Sequence, residues 1–100
     1  MKQFRLGMSQ DVRDLIIHLP PSLKKKVKTA LHEIAINPYQ AKELQDDLAG
    51  LRSYRISQSR IIFRIRHTMI EVIAFGPRKD IYERASTELY RRSGHDPEQT

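Results

Sequence analysis

Two arginines set against each other across a strand turn make a clamp for an anion, and residues 51–66 hold the pattern for one. Leu51-Arg52-Ser53-Tyr54-Arg55-Ile56 and Arg60-Ile61-Ile62-Phe63-Arg64-Ile65-Arg66 alternate with period two, as half-buried strands do, with Ser57-Gln58-Ser59 near the turn. The commonest hairpin connection, a two-residue loop, placed here at Ser57-Gln58, sets Ile56 against Ser59 and Arg55 against Arg60. Like charges directly opposite one another are unfavourable, by up to about 1 kcal/mol. Selection for stability alone rarely leaves such a pair, and an anion between the two removes the objection. Arg64 and Arg66 follow Arg60 on that face, while Tyr54, Ile56, Ile61, Phe63 and Ile65 line the other.

A third strand, Met69 to Phe75, running antiparallel beside the second returns its end to Arg60. Gly76-Pro77-Arg78-Lys79-Asp80-Ile81-Tyr82 then brings Arg78 and Tyr82 towards Arg55 and Arg60. Guanidinium stays protonated at neutral pH, with a pKa above about 12, and its planar fork binds phosphate bidentately. Three guanidiniums and a phenol suit the stabilisation of phosphorane-like charge better than carboxylate or imidazole proton transfer.

The elements that must hold these groups are legible upstream. Gln3 to Leu6 reads as a short strand. Ser9 stands at an N-cap position before Val12, Leu15, Ile16 and Leu19, whose spacing is helical. Pro20-Pro21 interrupts that helix, and either Ser22 as cap or Pro21 in the first turn opens a second one carrying Leu23, Val27, Ala30, Leu31 and Ile34. Asn37-Pro38 ends it. Residues 39–50 carry a weaker pattern, a short helical turn with Leu44 and Leu48, and Gly50 marks the change to period two. A last helix spans about Asp80 to Arg92, and the polar residues 93–100 read as a fraying tail. The expectation is one α+β domain over residues 1–92: an N-terminal strand, a helical hairpin packed on a small antiparallel sheet, and a C-terminal helix.

Charge singles out the same stretch. The 100 residues carry a net charge of +6, and residues 51–79 hold seven Lys/Arg against one acid, Glu71. Such a block points to a polyanionic partner, with a solvated surface as the plainer alternative. Lys24, Lys25, Lys26 and Lys28 likewise form either a solvated helix face or a backbone contact for RNA. The chain has no cysteine, which excludes disulfides, thiol nucleophiles and cysteine-held metals and fits a reducing cytoplasm. His18, His32, His67 and His95 lie in separate elements without metal-ligand spacing, so no metal site is expected. No apolar run approaches the about 20 residues of a membrane span, and Met1 to Gly7 lacks the apolar stretch of a signal peptide.

The segments LAGLRSYRISQSRIIFRI (48–65) and IAFGPRKDIYERA (73–85) resemble the RelE/ParE toxin superfamily of bacterial toxin–antitoxin systems, and the order of elements is similar over about residues 2–90. The resemblance, closer to the RelE branch, implies a RelE-like microbial ribonuclease fold and a cytoplasmic, metal-independent enzyme without cofactors. It implies cutting of mRNA in the ribosomal A site by attack of the ribose 2′-OH on its own phosphate. By the same resemblance Arg55 steadies the phosphate, Arg60 stabilises the pentacovalent state, Arg78 stands near the leaving oxygen, and Tyr82 stacks on substrate or handles protons. Tyr82 also reads simply as an anchor for the last helix. Arg52, Arg64, Arg66, Lys79, Lys24, Lys25 and Lys28 are the expected RNA-binding residues. The implied partners are a cognate antitoxin and the ribosome with mRNA. One departure is Ser57, where a second basic residue often stands two after Arg55. Two other readings share the fold: a ParE-like inhibitor of DNA gyrase, and a catalytically weak homologue that binds antitoxin.

Overall fold

Three period-two segments after Gly50 form the centre of one sheet, and the period-3.6 segments before and after them cover its two faces. The computed structural model describes residues 4–92, with the side chains of Arg78, Lys79 and Arg92 outside the description. In chain order the elements are β1 (Arg5–Met8), α1 (Gln10–Ile17), α2 (Pro21–Ile36), β2 (Lys42–Glu43), β3 (Leu51–Ile56), β4 (Ser59–Arg66), β5 (Met69–Pro77) and α3 (Arg78–Arg92). The expected start of the first strand at Gln3 and the polar tail at 93–100 lie outside the described residues. None of the described helices is long and apolar enough to cross a membrane.

Local chemistry accounts for the helix ends. The Ser9 side chain accepts a hydrogen bond from the Val12 amide at 3.2 Å, satisfying one of the donors that a helix start leaves unpaired. Pro21 takes the first position of α2, where its missing N–H costs nothing and its φ suits a helix, so Ser22 is not the cap. At the other end Asn37 leaves the helical conformation and Pro38 starts a short 3₁₀ turn.

The sheet order is β1-β5-β4-β3-β2. β3, β4 and β5 pair antiparallel as expected and β2 adds antiparallel to β3, whereas β1 adds to β5 in parallel, so the sheet is mixed. The helical hairpin between β1 and the later strands makes that possible, since a parallel pair needs a long crossover rather than a tight turn. β2 itself, two residues long, was not legible in the weak 39–50 pattern. That segment instead carries two 3₁₀ turns, at Pro38–Gln40 and Asp46–Leu48, on either side of this edge strand.

Each face of the sheet has its own core. Ile56, Ile61, Phe63, Ile70, Val72 and Phe75 pack beneath Val12 and Ile16 of α1 and Val27, Ala30 and Ile34 of α2. Leu51, Ile62, Ile73 and Ala74 pack beneath Ile81 and Ala85 of α3. β4 obeys strict alternation between the two. β5 does not: Ile62 faces Ala74 and Phe63 faces Val72, leaving Ile73 as an extra residue. This bulge sends both Ile73 and Ala74 to the α3 side, filling the smaller core with two neighbours from one strand.

Candidate anion site and family

The hairpin loop has the predicted length and register, with Arg55 opposite Arg60 and Ile56 opposite Ser59. In a two-residue hairpin the pair flanking the loop is hydrogen-bonded, so Arg55 and Arg60 form the alternate, non-hydrogen-bonded kind of pair, whose side chains start closer together. Ser57 adopts φ of 55° and so supplies the left-handed residue that the tight loop demands, as His67 does with 57° in the next hairpin. The loop also turns Arg55 back on itself: its Nε donates to the Ser57 carbonyl at 3.1 Å. Arg60, half-buried, donates from Nη1 to the Ser53 hydroxyl at 3.0 Å on the α3 side of the sheet.

β5 returns to this end as expected. Ser59 pairs with Pro77 and Arg60 with Gly76, so the backbone of Arg78 begins α3 directly beside the β3–β4 loop. The side chains of Arg78 and Lys79 lie outside the description. Tyr82 follows one turn later, half-buried against the α3-side core, so its ring anchors the helix whatever else its hydroxyl does.

The other arginines of the strand block are committed elsewhere. Arg52 lies on the opposite face from Arg60. It pairs with Glu43 at 3.6 Å, donates to the Ala41 carbonyl at 2.9 Å and sits 5.2 Å from the centre of the Tyr39 ring. Arg64 and Arg66 share Glu71, at 3.2 and 3.4 Å. The one acid of the basic block therefore offsets two of its cations. Replacing it by glutamine frees both: Glu71→Gln is expected to tighten non-specific RNA binding and to steepen its log–log salt slope by about 1.5, read from binding isotherms over a salt series.

The lysines of α2 divide as well. Lys25 and Lys26, with Thr29, Glu33, Tyr54 and Arg55, line an open pocket of ≈ 350 Å³ beside the end of β3. Of the expected trio only Lys25 thus joins Arg55; Lys24 and Lys28 are not among its lining residues. Tyr54 donates its hydroxyl to Glu33 Oε2 at 2.5 Å. That bond, then burial, then the carboxylate's charge hold its phenol above the ordinary value of 10.0. The folded state keeps this proton more tightly than the unfolded state, so the contribution is complete below the unfolded value and is lost as pH rises through the folded one. Denaturation midpoints are therefore expected to fall above about pH 10, and less so in Tyr54→Phe.

Two residues at this end escaped the sequence pattern. Ser53 was read only as a strand position, although it is 3% exposed. Arg84 reaches back from α3 over Gly76: its Nη2 donates to the Phe75 carbonyl at 3.2 Å, and its Nη1 lies 2.5 Å from where a Cβ on residue 76 would stand. The signal available for Arg84 was Gly76 itself, since a glycine within a strand marks close approach of another group.

Residues 4–82 match the model of the family described as ParE toxin of type II toxin–antitoxin system, parDE. This chain therefore belongs to that family of toxins, within the RelE/ParE superfamily. It is similar in structure to the toxin–antitoxin complex RelBE2 from Mycobacterium tuberculosis, with 25% identity and a TM-score of 0.67 over 76% of this chain and 99% of that one. It shares its fold with an arginine-to-alanine double mutant of the E. coli toxin RelE in the free state, at 15% identity and a TM-score of 0.73 over 90% of this chain and 97% of that one. The same holds for the archaeal RelE–RelB complex from Pyrococcus horikoshii, at 18% identity and a TM-score of 0.63 over 79% and 98% of the two chains. No curated protein matches the sequence.

Proposed function

We propose that this toxin is a metal-independent endoribonuclease that cuts mRNA in the ribosomal A site and so stops translation. The observation that carries the reading is the uneven neutralisation of the sheet. Arg52, Arg64 and Arg66 have carboxylate partners, while Arg55 and Arg60 have none among the described residues. Two uncompensated guanidiniums, paired across a ladder where like charges repel, form a site that is improved by a phosphate between them.

In this reading the ribose 2′-oxygen forms a bond to the adjacent phosphorus and the bond from phosphorus to the 5′-oxygen breaks. The 2′-OH proton passes to a base and a proton reaches the departing 5′-oxygen, leaving a 2′,3′-cyclic phosphate and a 5′-hydroxyl. Negative charge builds on the phosphorane oxygens, and preorganised donors directed at them lower the barrier most. Arg60 and Arg55 supply those donors, Arg78 serves the leaving oxygen from the start of α3, and Tyr82 stacks on the substrate. Arg64, Arg66, Lys79 and the α2 lysines, with Arg52 more remote, make up the surrounding RNA contacts. A cognate antitoxin is the expected protein partner, as RelB is in the solved RelE complexes, and the site of action is the cytoplasm. Primer extension on a defined mRNA in a programmed ribosome tests the reading. A discrete A-site cut that requires both ribosome and toxin supports it, and intact mRNA with folded toxin overturns it.

The family description favours a second reading, inhibition of DNA gyrase, because the matching model is that of ParE toxins. A supercoiling assay separates the two: a gyrase inhibitor blocks supercoiling and leaves ribosome-bound mRNA whole.

A further inference from the structure

We infer that Ser53 is a positioning residue for Arg60, holding the guanidinium in place through an acceptor that does not cancel its charge; the inference rests on the ribonuclease reading above. Ser53 is the one buried polar or charged side chain among the described residues. It sits mid-strand in β3, with Lys42 of β2 on one side and Ile62 of β4 on the other. On that face it stands between Leu51, which joins the α3-side core with Ile62, and the Arg55–Arg60 pair. An unpaired hydroxyl there would cost about 1–3 kcal/mol, and the Nη1 of Arg60 removes that cost by donating to it at 3.0 Å.

The chemistry of the acceptor matters more than its presence. On this same face Arg64 is held by a carboxylate, Glu71, which orients it and neutralises it together. A carboxylate at position 53 would do the same to Arg60 and leave nothing for a phosphate. A hydroxyl is neutral, so it fixes one corner of the planar fork while the charge remains. The described structure gives Arg60 no other side-chain partner, so the rest of its donor fork stays available to a ligand. A donor whose orientation is settled before the substrate arrives gives up less freedom when the transition state forms.

The test compares Ser53→Ala, Ser53→Thr, Arg60→Ala and the Ser53→Ala/Arg60→Ala pair in the programmed-ribosome assay, each checked for an intact fold by circular dichroism. Ser53→Ala is expected to lower kcat by about 10–100-fold while KM for the programmed ribosome stays within about twofold. Threonine, which keeps the hydroxyl, restores most of the rate. On the Arg60→Ala background the serine substitution has no further effect, because the group it positions is gone. Wild-type rates in Ser53→Ala, or losses that add to those of Arg60→Ala, overturn the inference. Should Ser53→Ala unfold, Ser53→Cys keeps the volume with a weaker acceptor and carries the same comparison. A wild-type protein that cuts nothing refutes the ribonuclease reading instead, and the Arg60 Nε–Hε resonance then decides the positioning. A signal sharp in wild type and Ser53→Thr but broadened in Ser53→Ala upholds it, and identical signals in all three overturn it.

Discussion

Arg60→Ala is expected to reduce mRNA cleavage by about 10²–10³-fold, the usual cost of removing one preorganised donor from a site of developing negative charge. The fold should survive. Arg60 is only half-buried, and among the described residues its side chain makes a single hydrogen bond and pairs with no carboxylate. Its removal also relieves the repulsion from Arg55 across the ladder. Stability in urea should therefore stay near wild type while activity collapses, a separation that a purely structural residue does not produce. The leaving-oxygen role given to Arg78 makes the parallel expectation for Arg78→Ala. A double variant that cleaves like the parent refutes the site. Cleavage is read by primer extension and stability by denaturant titration on the same preparations.

The second large effect concerns the scaffold. Phe63 is fully buried in the middle of β4, opposite Arg52 on one side and Val72 on the other, and packs under the helical hairpin. Truncating such a ring costs about 3–5 kcal/mol through lost transfer energy and the cavity left behind. Domains of this size have roughly 5–15 kcal/mol in total, so Phe63→Ala should be largely unfolded at modest urea concentrations. A loss below about 1 kcal/mol would mean that the core relaxes around the gap far more than packed cores do. This position matters to the site because Phe63 and its neighbours Ile61 and Ile65 hold one face of β4 down, which obliges Arg60, Ile62 and Arg64 to face α3.

The hairpin shows why so much of the arrangement could be read from residue order. Period-two alternation over 51–56 and 60–66, together with the shortest common loop, leaves one register in which both apolar rows face a core, and a slip by one residue would expose them. The Arg55–Arg60 pair follows from that register alone. Helix limits at Ser9 and Asn37-Pro38, and a break at Pro20-Pro21 that left Ser22 or Pro21 as the next start, were legible for a similar reason, since capping and proline geometry act between residues close in sequence. The parallel addition of β1, the edge strand β2 and the Ile73 bulge were not, because each depends on a partner strand brought in from elsewhere in the chain.

Residue types and short-range spacing by themselves determined the α+β order of elements, the facing arginines at the β3–β4 loop, and the return of the Gly76-Pro77-Arg78 segment to the same end. Covalent connection and side-chain period are enough for those. Only the tertiary structure decided which cations keep their charge available. Glu43 reaches Arg52 from a neighbouring strand, Glu71 reaches Arg64 and Arg66 across another, and Ser53 meets Arg60 beneath α3. Ion pairs and buried hydrogen bonds act over a few ångströms of space, and folding, not sequence position, sets which groups come that close.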